Sequence, residues 1–337
     1  GFADLFIVFA KIVTEDGQPG QFSAFLIERG TPGLTIGAEE HKLGICGSST
    51  CPLVLSDCAI PAANLLGAAG KGHHIAFNIL NVGRYKLGAA TLGGARHTLR
   101  NAIRYGKQRL AFGKPITSFG LMQEKIADMA AGIFAGEALV YRVVGAIDAA
   151  LATLPADAPA SDVQKQIEDY AVECSIVKVW CSEMLDRAVD ANLQIHGGYG
   201  YVEEYPAERA WRDARINRSF EGTNEINRLI ISGFLLRRAL QGRLPLLPAI
   251  AKVMDEVMAG PVPRSEAAGP LAGEHALLAS AKKLGLFCSG AASQKYPTNL
   301  QDQQEIMGAL ADILIEILVM ESAILRAEKC RAAHPIA

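Results

Sequence analysis

The sequence predicts a mainly α protein: a partial antiparallel β domain over residues 1–66, a four-helix bundle over 67–242, and an appended helical domain over 243–337. Three observations carry that reading. Short β-branched and aromatic runs broken by Gly and Pro fill the first part of the chain. Apolar spacing turns helical from about residue 70. A stretch dense in Gly and Pro, Ala259 to Gly273, reads as a linker before the last helical segments.

Leu5 to Val13, rich in Phe, Ile and Val, reads as a strand, with Gly17-Gln18-Pro19-Gly20 as the turn after it. Phe22 to Ile27 follows, then the turn Gly30-Thr31-Pro32-Gly33 and a further strand near Cys51 to Cys58, closed by Pro61. The first strand has no preceding partner, so the β unit is expected to be incomplete and the chain a piece of a longer protein.

Ile75 to Gly106 reads as one long helix. Gly88, Gly93 and Gly94 inside it each cost about 1 kcal/mol relative to Ala, which points to close approach of another helix or a ligand. A second helix runs from Gly120 to Leu151 and ends in the loop Pro155 to Pro159. A third opens at Ser161, with Gln164 completing a capping box, and continues to His196, where Gly197-Gly198 stop it. Thr223 caps a fourth, carrying Glu225 in its first turn and reaching about Gln241. Beyond the linker, residues 274–290 and 300–332 read as helices.

Half the residues are hydrophobic and 20% are charged, enough for a sizeable core and too apolar for global disorder. A formal charge of −2 and few aromatics argue against a nucleic-acid partner. The seven cysteines lack C-x-x-C spacing and read as reduced thiols of an intracellular protein, with Cys174 and Cys181 in the core. No zinc ligand set is visible, and no metal is expected. From Gly1 onward there is no charged leader with an apolar run and a cleavage site. The stretch Ile313 to Met320 carries Glu316 and is too short to span a bilayer; an amphipathic surface helix stays open.

Chemistry concentrates in four segments. Phe220-Glu221-Gly222-Thr223-Asn224-Glu225 places a carboxylate just before a helix start. There it can act as a base while helix-start N–H groups stabilise developing negative charge. Arg109-Leu110-Ala111-Phe112-Gly113-Lys114 offers a guanidinium fork for a pyrophosphate and an aromatic face for a ring. Gln194-Ile195-His196-Gly197-Gly198 ends a helix on glycines that expose backbone amides. Asn81-Val82-Gly83-Arg84 puts an arginine inside a helix, where burial demands a carboxylate or a ligand as its partner.

In this order and spacing, with Arg84 and Arg109 25 positions apart and Gln194 and Glu221 27 apart, the segments resemble the acyl-CoA dehydrogenase family of flavoproteins over residues 1 to about 242. The tail beyond residue 242 and the run Phe119 to Lys125 are most similar to the very-long-chain branch. The resemblance implies that Glu221 removes a proton from the carbon next to a thioester carbonyl while FAD takes a hydride from the adjacent carbon, giving a trans-2-enoyl-CoA. It implies cofactor contacts at Arg109, Phe112, Gln194, Ile195, His196, Gly197, Gly198, Thr223, Asn224 and Glu225. Substrate contacts are implied at Asn81, Arg84 and Gly222. Closing the site on an acyl chain would expel water and make the carboxylate a stronger base.

A long-chain acyl-CoA substrate, an electron-transferring flavoprotein as acceptor and at least a homodimer follow from the same resemblance. So does a place in fatty acid β-oxidation, in bacterial cytoplasm or mitochondrial matrix, with peripheral membrane contact left open. Two departures stand out. The family's N-terminal helical domain and first half of its β domain, with the flavin loop, are absent, and Asn81 stands where several members carry aspartate. A non-catalytic assembly scaffold of the same fold and an acyl-CoA oxidase using dioxygen are the alternatives.

Overall fold

β-branched and aromatic residues build the N-terminal strands of this computed structural model, which describes residues 1–13, 18–260 and 269–333. Gly17 of the predicted turn and residues 261–268 of the predicted linker lie outside the described residues. The chain divides into two compact units, Gly1–Val82 and Gly83–Ala337.

The first unit holds β1 (Leu5–Val13), β2 (Pro19–Glu28), β3 (Leu34–Ile36), β4 (Leu53–Leu55) and β5 (Leu65–Leu66). β1 pairs antiparallel with β2, Leu5 opposite Glu28 and Phe9 opposite Ala24, and β5 lies along the other side of β2. β3 and β4, of which the sequence predicted only the second, form a separate antiparallel pair. Ser23, Ala24 and Ile27 of the central strand are buried, whereas β1, at the sheet edge, leaves Leu5, Ile7 and Phe9 exposed.

The helical part begins at α1 (Gly72–Gln108), which crosses the division between the units. A two-stranded hairpin, β6 (Leu110–Ala111) and β7 (Lys114–Pro115), follows where the sequence suggested only a loop. Next comes α2 (Gly120–Leu151), with the predicted bounds. The segment expected as one helix from Ser161 is two, α3 (Ala160–Asp169) and α4 (Ala171–His196). Tyr170, at φ −99° and ψ 16°, breaks the helix, and its carbonyl starts α4 by accepting from the Cys174 N–H. The capping box does not form: Ser161 Oγ bonds Asp162 Oδ1, and α3 has no side-chain cap. α3 buries no residue while α4 is buried on most sides, so the two segments answer to different surroundings.

α5 (Pro206–Arg215), with Pro at its first turn, and α7 (Leu246–Ala259) escaped the sequence reading. Between them lies α6 (Asn224–Leu240), capped by Thr223 as predicted: its Oγ1 accepts from the Ile226 N–H at 3.3 Å. α8 (Ala272–Lys295) and α9 (Gln304–Ala333) complete the chain. One core joins Leu92 and Ala95 of α1, Leu139 and Val143 of α2, Val177 and Cys181 of α4, Ile231 of α6, and Ala311 and Ile315 of α9. Bundle and tail thus share an interior. Gly88 is the close-approach glycine, since a side chain there would meet Val177, whereas Gly93 has open space. α2 is long and apolar enough to cross a membrane by length and composition, yet Met129, Ile133, Leu139, Val140 and Val143 face the core.

Candidate active site

The loop before α6 takes an unusual backbone path. Glu221 and Gly222 both adopt left-handed conformations, with φ of +59° and +81°. For glutamate this costs on the order of 1–3 kcal/mol and persists only when neighbours over-determine it. Here the carbonyl oxygens do so. Arg84 Nε donates to Glu221 O at 3.1 Å, and Lys178 Nζ donates to Gly222 O at 2.8 Å. Asn227 Nδ2 reaches Gly222 O at 2.8 Å and Thr223 O at 3.0 Å. The half-buried Glu221 side chain lies against Gly83 of α1, and a Cβ built there would stand only 2.8 Å from Oε1. The carboxyl group is therefore seated beside α1.

Behind the loop is a polar network inside the bundle. Arg84 is buried, and burial lowers the proton affinity of its guanidinium, opposed by Cys174 and Glu221 nearby. Its second anchor is Ser175 Oγ at 3.5 Å. Burial also brings the Lys178 ammonium down to about 8, helped by Arg84 and opposed by Glu225, Glu183 and Glu221. Lys178 bonds Asn224 Oδ1 at 2.6 Å, while Asn224 Nδ2 donates to Ser182 Oγ at 3.1 Å and Glu183 Oε1 at 2.8 Å. Burial pushes the Glu183 carboxyl up, but hydrogen bonds from Arg228 and Asn224 outweigh it and hold the group below the usual range. Asn227 Oδ1 is buried and has no hydrogen-bond partner among the described residues.

A second cluster lies where α4 ends. Arg109, Ile195, His196, Gly197 and Gly198 line one cavity of about 400 Å3 together with Tyr105 and Tyr199. The Arg109 guanidinium is exposed and sits 5.6 Å from the Tyr199 ring centre. Gly197 has φ +59°, and side chains at Gly197 or Gly198 would meet nothing within 4 Å, so their backbone faces open space. His196 is committed inward: its Nδ1–H donates to Asn192 O at 2.8 Å, and its ring stacks on Tyr105 at 4.0 Å. Burial lowers its proton affinity, against the hydrogen bond to Asn192 that raises it. Guanidinium, aromatic face and open glycine amides suit a ligand bearing phosphate and a flat ring.

Phe112 tops the β6–β7 hairpin, where Phe112 and Gly113 both have positive φ, +51° and +79°, as a two-residue turn of mirrored type requires. It is 94% exposed, an aromatic face offered outward. Gln194 is exposed, as is Glu225, whose carboxyl is lowered first by its own backbone N–H and then by the Thr223 hydroxyl. Asn224 points inward with its amide taken up by Lys178, Ser182 and Glu183, which leaves its backbone as the part free to meet a ligand. Arg84 likewise serves the loop from inside and presents no exposed guanidinium to a substrate. Asn81 is buried within the first unit.

The sequence reading missed Gly83, Ser175, Lys178 and Asn227. Gly83 stood inside the segment Asn81 to Arg84 without a role of its own, and Lys178 left a trace as the single charge in Ile176-Val177-Lys178-Val179-Trp180. Cys174 and Cys181 are core residues with thiols pushed up to about 12 by burial. All seven cysteines are free, and among the described residues no His, Cys, Asp and Glu group is placed to hold a metal. A separate apolar cavity of about 320 Å3, lined by Leu236, Leu247, Leu286 and Leu310, contains none of the predicted site residues.

Residues 70–236 match the family model described as acyl-CoA dehydrogenase, C-terminal domain, and residues 280–336 match a second model of the same description. A probable acyl-CoA dehydrogenase of Bacillus subtilis (strain 168) is 47% identical over 335 residues, which is 99% of this chain and 55% of that protein. The crystal structure of an acyl-CoA dehydrogenase complexed with FAD from Bacillus anthracis superposes with a TM-score of 0.95 at 48% identity, covering 99% of this chain and 56% of that one. Butyryl-CoA dehydrogenase from Megasphaera elsdenii gives 0.59 at 39% identity, covering 69% and 56%. The chain thus spans about half the length of the relatives it matches.

Proposed function

This chain belongs to the acyl-CoA dehydrogenase family, and from that premise we propose that it carries the base-bearing half of a FAD-dependent enzyme that desaturates a fatty acyl-CoA between Cα and Cβ. The observation that supports this most is the seating of Glu221: a half-buried carboxylate held beside Gly83 on a left-handed loop pinned through its carbonyls. A carboxylate so fixed can take the Cα proton without first reorganising. Backbone N–H groups at the start of α6 supply partial positive charge for the thioester oxygen as electrons move onto it.

FAD, when bound, supplies the two-electron acceptor for the hydride leaving Cβ. The donor set around the 400 Å3 cavity fits the phosphate-bearing part of such a cofactor, with Arg109 gripping phosphate, Gly197 and Gly198 admitting it to the backbone, and Phe112 covering a ring. Thr223 and Glu225 contribute where α6 begins. We extend the reading to a long-chain substrate, an electron-transferring flavoprotein as acceptor and a homodimer, on the likeness of the tail and the outward-facing Phe112.

Flavin bleaching under anaerobic conditions tests the reaction, using acyl-CoA thioesters of increasing chain length. Bleaching by saturated thioesters and its loss in Glu221→Gln are expected; unaltered bleaching in that variant sinks the assignment of the base. The chain length giving the greatest kcat/KM decides the substrate class.

A further inference from the structure

Lys178 is the unexplained group of the site. It is a fully buried cation in an apolar helix turn, where removing an ammonium from water is costly and a methionine of similar reach would fill the space. Its ammonium spans two acceptors, Gly222 O at 2.8 Å and Asn224 Oδ1 at 2.6 Å. Asn224 is fixed in turn by Ser182 and Glu183. Arg228 grips both Glu183 oxygens, at 2.8 and 3.1 Å, and reaches Asp312 of α9 at 2.7 Å.

Lys178 holds the carbonyl of Gly222, the residue after Glu221. Glu221 and Gly222 are both left-handed, a state that glutamate leaves when nothing holds it. Asn227 Nδ2 shares Gly222 O at 2.8 Å, but from α6, the helix the loop itself leads into, whereas Lys178 ties the carbonyl to α4. Losing the tie to α4 would let the loop relax and carry the carboxyl group away from Gly83. Arg84 secures the preceding carbonyl, that of Glu221. Resting on the reading of Glu221 as the base, we propose that Lys178 is a positioning residue: through Gly222 and Asn224 it fixes the loop conformation that aims the Glu221 carboxyl group at the substrate Cα.

The charged groups that act on Lys178 are Arg84, Glu225, Glu183 and Glu221. A neutral amine keeps two N–H donors, enough for both acceptors, so the tether rather than the charge is what the geometry asks of it.

The test follows exchange of acyl-CoA Cα hydrogen with solvent deuterium by mass spectrometry. The probes are butyryl-CoA and palmitoyl-CoA, and the protein carries flavin reduced beforehand, so that no hydride can leave. Glu221→Gln is the reference: if it still exchanges, the reading of the base itself has failed. With that reference silent, Lys178→Met should exchange roughly 10- to 100-fold more slowly than the parent. Its flavin content and acyl-CoA Kd should stay within about twofold, and Lys178→Gln, which keeps one donor, should recover part of the rate. Unslowed exchange in folded Lys178→Met overturns the proposal. So does a slowing matched by equal loss of acyl-CoA affinity, which marks a general structural fault. Should the Met variant not fold, the Gln variant decides by the same comparisons.

Discussion

Gly83 leaves the space that the Glu221 carboxyl group fills. A Cβ at position 83 would lie 2.8 Å from Oε1 and closer still to Oε2. In the interior of a helix, Ala normally outranks Gly by about 1 kcal/mol, so Gly83→Ala should hold or raise the melting temperature. The same methyl group displaces the carboxylate, and flavin reduction by acyl-CoA should slow roughly 10- to 100-fold. Stopped-flow absorbance beside calorimetry separates the two effects; a stable variant of full activity would show that the close seating is irrelevant.

Arg84→Met removes the donor to Glu221 O and to Ser175 Oγ while keeping an apolar stem in the helix. Both oxygens lose this donor, which should destabilise the protein by about 1–3 kcal/mol in urea unfolding. Arg84→Lys should rescue only part, because a point charge cannot reproduce the fork.

Lys178 gives stability a distinct dependence on pH. Its folded value, about 8, lies below the ordinary 10.5. Between these values the unfolded chain holds more protons than the folded one, so stability rises with pH through that window. The penalty of the buried ammonium is fully present below about pH 8 and gone above about 10.5. Urea unfolding at pH 7.5 and pH 10 should show a gain on the order of 2 kcal/mol from this group in the parent. The gain should be absent in Lys178→Met.

The ties of Arg228 are unequal. Glu183 is partly buried and bonded twice, whereas the Asp312 side chain is 54% exposed. Glu183→Gln should cost about 2–4 kcal/mol by leaving the guanidinium under-compensated. Asp312→Asn should cost roughly 0–1 kcal/mol, since solvent screens that pair. Equal losses in denaturant melts would contradict this ranking.

Phe112 separates ligand binding from folding. At 94% exposure its removal deprives the core of nothing, so Phe112→Ala should change stability by no more than about 0.5 kcal/mol. Retained FAD after gel filtration should fall. Full flavin retention would remove the ring contact assigned to this residue.

Local signals made much of the fold legible. Period and punctuation located α2 and α6, and Thr223 announced its own cap, because each depends on residues within a turn or two. Where surroundings took over, the reading slipped. Ser161 and Gln164 spelled a capping box, yet Ser161 bonds Asp162 instead, and the helix breaks at Tyr170 where exposed α3 gives way to buried α4. The four chemical segments were visible as motifs. Which side chains turn inward was not: Asn224, His196 and Arg84 are committed to partners far away in sequence or to the helix interior.

By itself the sequence determined the kind of chemistry at hand, since a carboxylate before a capped helix, a guanidinium beside an aromatic, and glycines after a helix are short-range arrangements. Only the tertiary structure decided how that carboxylate is held. Gly83, Lys178 and Asn227 come from three different helices, and they meet at the loop because packing brings their faces together. No spacing along the chain encodes that meeting, for it depends on the directions of side chains across helices rather than on their order.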